Sequence, residues 1–133
     1  SGVGSFGLEA ISRGAKKVVF FEDYKPAVDL LKKNIKNLTF FNKAEIYQKD
    51  ISNKHSLKDL SEKFDLVFLD PPFDYKELNN LFDNLAYSKI IHSKTLIIIH
   101  RHRKSCDKFE KNFKVVRQEK YGNSKIIFGY FIF

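Results

Sequence analysis

The chain has 133 residues, 43% of them hydrophobic and 30% charged, which is typical of one folded globular domain and excludes a disordered protein. No apolar stretch approaches the roughly 18 to 20 residues that a membrane helix needs. The one cysteine, Cys106, excludes an internal disulfide and a cysteine zinc cluster, and it suits a reducing compartment. From the length we predict a single domain over residues 1–133. Because no signal peptide is recognisable at the start, we expect this domain to be cytoplasmic.

The net charge of +8 is concentrated in one part of the sequence. Residues 1–88 contain 13 basic and 13 acidic side chains, whereas residues 89–125 contain eleven Lys and Arg against three acids. A basic segment of this kind favours binding to phosphates. It is also typical of a solvated face in a lysine-rich protein, so charge alone does not decide between the two interpretations.

Helices and strands alternate along most of the chain, which predicts an α/β fold. Short apolar runs that stop at an acid are typical of parallel strands buried on both faces. Apolar residues at helical spacing predict helices between them. The predicted helices are residues 5–13 (Phe6, Ala10 and Ile11 buried), a helix opening near Pro26 (Ala27, Leu30, Leu31, Ile35 and Leu38 on its apolar face), residues 57–63 and residues 76–87; the predicted strands are 18–21, 45–49, 66–69 and 95–99.

The end of the chain follows a different pattern. Segments 115–121 and 126–133 flank Gly122-Asn123, which predicts a β-hairpin. The fold prediction is therefore a Rossmann-like, mostly parallel, doubly wound sheet with an antiparallel C-terminal hairpin. A glycine-rich turn at residues 2–7 should follow a strand, and the chain contains no methionine, so we expect the first, central strand to lie upstream of this sequence.

Three glycines and two acids predict a nucleotide-type site. Gly2, Gly4 and Gly7 form G-x-G-x-x-G directly before a helix, where glycine permits a tight turn and close approach to a ligand. Glu22 follows Gly2 by 20 residues at a strand end, where a carboxylate can accept both hydroxyls of a ribose. Asp50 ends the next strand and can accept a hydrogen bond from an adenine amine. The alternative is an ordinary tight connection with polar strand ends.

The most specific motif is Asp70-Pro71-Pro72-Phe73, whose chance occurrence in this length is roughly a one-in-a-thousand event. Two prolines fix the backbone and remove two N–H donors, so that carbonyl oxygens face outward as acceptors. Asp70 adds a carboxylate, and Phe73 offers a ring on which a base can stack. The motif therefore predicts a site for a planar group that bears an NH2. The alternative is a rigid turn before the next helix.

Other kinds of catalytic site are not predicted. The four histidines show no metal-binding spacing with acids, so no metal is expected. No serine or cysteine lies in a recognisable nucleophile elbow.

With these motifs the chain resembles the RsmD-type 16S ribosomal RNA guanine-N2 methyltransferases, a class I family that uses S-adenosylmethionine. The similar stretches are residues 2–15, Glu22 and residues 64–73, and the resemblance extends in order to the final hairpin. The first stretch is fairly specific to this family, whereas the D-P-P-F motif is shared with adenine-N6 and other amino methyltransferases.

The resemblance implies methyl transfer from S-adenosylmethionine to the N2 amine of a guanine in 16S ribosomal RNA, within the small ribosomal subunit or an assembly intermediate, by a protein that we expect to be monomeric. It also implies a role for each motif residue. Gly2, Gly4 and Gly7 would surround the methionine part of the cofactor, Glu22 its ribose, and Asp50 with the Ile51 backbone its adenine, while Asp70 and the Pro71 carbonyl would accept the two N–H bonds of guanine N2 and Phe73 would stack on the base.

One departure from the family and one basic cluster complete the prediction. The family usually has an acid where this chain has His100, for which the resemblance gives no role. The predicted strand 95–99 ends at the sheet edge that carries the motif acids, and it is followed closely by Arg101, Arg103 and Lys104. We expect these three side chains to contact RNA phosphates. The alternatives that stay open are adenine N6, a protein glutamine amide, or a nucleotide-binding module without catalysis.

Overall fold

The computed structural model describes residues 4–38, 42–72 and 74–133. The chain forms two compact units, Ser1–Ile51 and Ser52–Phe133. Gly2 and Phe73, two residues of the predicted site, lie outside the described residues. The prediction of a single domain, and that of a strand upstream of the sequence, stay predictions.

The first unit pairs two parallel strands with two helices. Strands β1 and β2 run in register from Val18↔Ala44 to Phe21↔Tyr47. Their core is built from buried side chains of both helices and of β1, and Val18, Ala44 and Ile46 pack against it. The elements are α1 (Ser5–Ser12), β1 (Val18–Phe21), α2 (Lys25–Asn37) and β2 (Ala44–Tyr47), and the core residues are Leu8, Phe20, Leu31 and Ile35.

Both helices of this unit are confirmed, but each buries a face that differs in part from the prediction. Helix α1 buries Leu8 and Ile11, whereas Phe6 is 38% exposed. Helix α2 buries Val28, Leu31 and Ile35, three residues at helical spacing, and leaves Leu30 and Leu38 about half exposed. The prediction is confirmed for Ile11, Leu31 and Ile35. It left out Leu8 and Val28, which complete the two buried stripes.

The second unit holds a mixed four-stranded sheet in the order β3-β4-β6-β5. Strands β3 and β4 are parallel, whereas β6 is antiparallel to both β4 and β5. The predicted hairpin is confirmed, with Gly122 in the left-handed region (φ 53°) at its turn. The elements are β3 (Leu66–Leu69), α3 (Leu78–Tyr87), β4 (Leu96–His102), β5 (Phe113–Tyr121) and β6 (Ser124–Phe131).

The helix predicted over residues 57–63 is wrong. Successive turns stand near this position, with hydrogen bonds from Lys58 N to His55 O and from Leu60 N to Leu57 O, each three residues apart. The side chain of Asn53 also accepts a hydrogen bond from the backbone of His55. An asparagine that bonds the backbone two residues on stabilises a turn in preference to a helix.

An aromatic cluster forms the core on one face of the second sheet. Phe82 of α3 contacts Phe113 and Phe131, with ring centroids 4.7 Å and 5.4 Å apart. Gly129 belongs to this packing, because a Cβ at that position would overlap the Phe113 ring. Strand β4 contributes side chains that are fully buried, such as Ile97 and Ile99. Among the described residues, no helix is long and apolar enough to cross a membrane.

Candidate active site

The glycine turn owes its composition to packing inside the first unit. Gly4 precedes α1 with a φ of +78°, a conformation that residues other than glycine rarely adopt. A Cβ on Gly4 would overlap Leu31 Cδ1, and one on Gly7 would overlap the Phe20 ring. Both glycines therefore let α1 lie close to β1 and α2, a role known for a glycine of nucleotide-binding turns. Helix α1 begins at Ser5, directly after Gly4, so Gly7 lies within the helix and not before it as predicted.

The two acids of the first unit that are predicted to bind the cofactor lie at the same edge of its sheet. Glu22 directly follows β1, and its backbone N–H donates to the Tyr47 carbonyl at the end of β2 (3.2 Å). Asp50 and Ile51 come three and four residues after Tyr47. Because β1 and β2 are parallel, this edge is their carboxyl end, where ligands of open α/β sheets bind.

In the second unit, Asp70 is joined to His100 near the carboxyl ends of β3 and β4, and His100 is joined in turn to Ser124 at the start of β6. His100 Nδ1 lies 2.9 Å from Asp70 Oδ1, and His100 Nε2 lies 2.7 Å from Ser124 Oγ. The side chains of Asp70 and His100 are 49% and 23% exposed. The carboxylate is therefore reachable from solvent and held on one side by the protein.

Arg101 is buried, which contradicts its predicted contact with RNA phosphate. Its side chain is 3% exposed and forms a two-pronged pair with Asp107 at 2.9 Å and 3.0 Å. The same guanidinium donates to the carbonyl oxygens of Pro72 (3.1 Å) and Tyr75 (2.9 Å). The side chain thus fixes the loop after β3 from inside the protein, and a phosphate cannot replace these partners without opening the fold.

Pro72 also differs from the prediction of outward carbonyl oxygens. Its oxygen accepts hydrogen bonds from the Tyr75 backbone N–H (2.9 Å) and from Arg101. This oxygen is engaged within the loop, so Pro72 shapes the turn. Pro71 is partly exposed, and its carbonyl stays the predicted second acceptor beside Asp70.

The other predicted phosphate contacts lie on the surface. Arg103 and Lys104 are exposed, although Arg103 also donates to the Gly122 carbonyl (3.3 Å). Of the eleven basic residues in segment 89–125, nine are exposed, and the two buried ones are Arg101 and Lys125. Lys125 donates to the Ser105 carbonyl (2.6 Å). The number of basic residues in this segment of the sequence therefore exceeds the number of exposed basic side chains by two.

Solved structures share this architecture. A candidate methylase from Haemophilus influenzae is 28% identical, with a TM-score of 0.83 over 98% of this chain and 82% of its own. A conserved hypothetical protein from Streptococcus pyogenes (23% identical, TM-score 0.85, 97% of this chain and 80% of its own) and the candidate methyltransferase YhhF from Escherichia coli (21%, 0.79, 98% and 71%) share the fold. The fold is that of the class I, Rossmann-like methyltransferases.

The family follows from a second comparison. The model of the family "Conserved hypothetical protein 95" matches residues 1–130. The chain belongs to this family, which is a methyltransferase family. No match was found among curated proteins.

The sequence prediction missed His100, Ser124 and the structural role of Arg101. A partial signal existed, because two parallel strands of similar length, 66–69 and 95–99, each end next to a polar residue. In the observed register Leu69 pairs with Ile99, so Asp70 and His100 are the next residues on adjacent strands. Ser124 gave no such signal, because its position depends on how the hairpin docks on β4.

Proposed function

We propose that this protein transfers a methyl group from S-adenosylmethionine to the N2 amino group of a guanine in 16S ribosomal RNA. The observation that carries the proposal is the Asp70 carboxylate at the carboxyl end of β3, half exposed and held by His100, in a chain of a methyltransferase family. A carboxylate in this position accepts a hydrogen bond from an amino group. The resemblance to the RsmD-type enzymes supports guanine N2 as that group.

The first unit offers groups that fit S-adenosylmethionine. Glu22 at the end of β1 would accept the ribose hydroxyls, and Asp50 with the Ile51 backbone would hold the adenine. The turn at Gly4 would place backbone N–H groups of α1 beside the methionine part. When bound, the cofactor supplies an electrophilic methyl group: the amine nitrogen forms the new N–C bond as the S–C bond breaks and its electron pair stays on sulfur.

The residues of the second unit would activate the amine. The nitrogen of guanine N2 is a weak nucleophile, because its lone pair is delocalised into the ring. Asp70 and the Pro71 carbonyl would accept its two N–H bonds and favour a tetrahedral nitrogen with a localised lone pair. Positioning a nucleophile in line with the carbon that it attacks can lower a barrier by roughly 7–11 kcal/mol at best. The methylated, cationic nitrogen then releases one proton to Asp70 or to water.

The choice of RNA as substrate rests on the resemblance and on surface charge. A class I fold hosts many acceptors, so it does not by itself select one. Nine exposed Lys and Arg side chains in segment 89–125 favour a polyanion. Arg103 and Lys104 follow the end of β4 closely, and β4 is parallel to β3, which Asp70 directly follows.

The test is an assay with several acceptors in parallel. The protein is incubated with labelled S-adenosylmethionine and with small ribosomal subunits, naked 16S RNA, DNA or ribosomal protein, and the products are digested and identified by mass spectrometry. We expect N2-methylguanosine from the ribosomal RNA. N6-methyladenine or a methylated glutamine would replace the proposed acceptor by another one. Cofactor binding without transfer to any acceptor would support a nucleotide-binding module.

A further inference from the structure

A hydrogen-bonded chain of three side chains crosses three neighbouring strands of the second unit. Asp70 follows β3, His100 lies in β4 and Ser124 begins β6, and these strands are adjacent in the sheet. The imidazole sits in the middle, 2.9 Å from the carboxylate and 2.7 Å from the hydroxyl. Both distances are those of good hydrogen bonds.

The sheet register brings these three residues to one face. Leu69 pairs with Ile99, so the residues that follow them, Asp70 and His100, are neighbours. Ser124 pairs with His102, two residues beyond His100 on β4. In a sheet, residues two apart on one strand share a face, and such a diagonal neighbour lies within reach of a long side chain. The hydrogen bonds are therefore a consequence of strand pairing.

The donors and acceptors of the three hydrogen-bonded side chains match one another. A neutral imidazole has one N–H donor and one acceptor nitrogen. If the Ser124 hydroxyl donates to Nε2, then Nδ1 carries the proton and donates to Asp70 Oδ1. Within the part of the chain that the structure describes, Asp70 Oδ2 makes no hydrogen bond. The bond to His100 thus divides the carboxylate into one held oxygen and one oxygen that can accept from a substrate.

The same order of side chains occurs in serine hydrolases, in which the hydroxyl attacks the substrate. In those enzymes the carboxylate is buried and the serine faces the substrate. Here the Asp70 side chain is 49% exposed, whereas Ser124 lies partly buried at the start of β6. Of these three side chains, the Asp70 carboxylate is therefore the one that faces the substrate, and Ser124 holds the His100 ring in place.

Strand β4 holds the loop after β3 from both faces of the sheet. His100 and Arg101 are consecutive, so their side chains point to opposite faces. His100 contacts the Asp70 carboxylate, while Arg101 donates to the carbonyl oxygens of Pro72 and Tyr75. The loop backbone and the carboxylate are thus each fixed by a separate group.

We propose that His100, held by Ser124, is a positioning residue for Asp70: its Nδ1–H fixes Oδ1, so that Oδ2 points to the amine to be methylated. This proposal rests on the proposed function. His100 would act through Asp70 and would not touch the substrate. Its replacement should lower kcat more than it changes KM for RNA, because a freely rotating carboxylate still binds the base but seldom in the reactive geometry.

The kinetic test replaces His100 in the full chain by leucine and by asparagine. We expect His100→Leu to lower kcat roughly 10- to 100-fold, the range for a misplaced catalytic group, with the Kd of S-adenosylmethionine unchanged. His100→Asn should recover a large part of the rate, because its amide N–H can take the place of Nδ1–H. Equal losses in both variants, or an unchanged kcat in His100→Leu, would overturn the proposal.

The matched control is a second His–Asp pair of the same unit. His92 Nε2 lies 3.4 Å from Asp65 Oδ1, and these residues precede β4 and β3, at the amino ends of the same two strands. His92→Leu removes the same kind of side chain away from the proposed site. It should leave kcat unchanged, and a loss like that of His100→Leu would mean that either change merely disturbs the sheet.

The nitrogen resonances of the histidine rings test the geometry without any activity. Long-range proton–nitrogen NMR spectra should show the Nδ1–H tautomer for His100, with Nδ1 shifted in Asp70→Asn and Nε2 shifted in Ser124→Ala. An Nε2–H tautomer that responds to neither change would overturn the hydrogen-bond chain. If the parent protein methylates no acceptor, the proposed function fails, and the positioning role of His100 fails with it. The NMR spectrum tests the hydrogen bonds among Asp70, His100 and Ser124 independently of any activity.

Discussion

The two units of the molecule place their site residues in different ways. In the first unit, position follows from the backbone: a left-handed Gly4 before α1, and acids directly after or close behind parallel strands. In the second unit, Asp70 and its loop are also held by side chains distant in sequence, His100 and Arg101. Substitutions in the first unit should therefore act on the ligand that the replaced residue touches, whereas those in the second can act through the loop.

The largest effect is expected for Asp70→Ala in the second unit. Turnover should fall to background, because this variant lacks the carboxylate that accepts the N–H of the amine, while the Kd of S-adenosylmethionine should stay within a few-fold. Single-turnover assays and calorimetry measure the two quantities. Asp65→Ala removes a fully exposed acid at the amino end of the same strand and should be active. Full activity in Asp70→Ala would refute the mechanism.

Arg101→Met should have the largest effect on stability. It leaves Asp107, 12% exposed, without its cationic partner, and removing one member of a buried ion pair costs about 3–5 kcal/mol in free energy of unfolding. Arg103→Met, two residues away and exposed, should change that free energy by about 0.5 kcal/mol or less. Denaturant unfolding of both variants measures the difference. Equal stabilities would show that Arg101 does not hold the loop.

A smaller effect, on cofactor affinity, is expected in the first unit. Glu22→Ala should weaken binding of S-adenosylmethionine and of its demethylated product about 10- to 100-fold, as for the removal of a hydrogen bond to a charged group. Asp23→Ala, which removes the adjacent exposed acid, should bind both normally. Calorimetry measures the Kd of each compound and of NAD, which represents the alternative of a dinucleotide-binding domain. Tight binding of NAD and none of the sulfonium compound would contradict the assignment of this unit.

The sequence predicted what short-range patterns determine. Strands 18–21 and 66–69, the hairpin at Gly122 and the position of Asp70 at a strand end are confirmed, because each depends on residues close together in the chain. The role of Arg101 was not predictable, since its carbonyl partners lie 26 and 29 residues away. A local count of charges treats such an arginine like Arg103, its exposed neighbour.

The smallest effect, on RNA binding, concerns the surface beyond the end of β4. Arg103 and Lys104 are the two exposed residues of the predicted phosphate-binding cluster. Removing one phosphate-bound cation should lower the slope of log affinity against log salt by about 0.7–0.9. Arg103→Gln with Lys104→Gln should therefore weaken and flatten RNA binding in a salt series, with cofactor affinity unchanged.

The charge-matched control for this pair is Lys89→Gln with Lys94→Gln. It removes two exposed charges from the same basic segment, but these residues precede β4, whereas Arg103 and Lys104 follow it. Asp70 lies at the carboxyl end of β3, which is parallel to β4. Of the two pairs, only Arg103 and Lys104 therefore lie near the strand ends that carry the proposed acceptor site. Equal changes of slope in the two double variants would show that RNA senses only the total charge, and an unchanged slope in the Arg103 and Lys104 variant would remove this cluster from the RNA-binding surface.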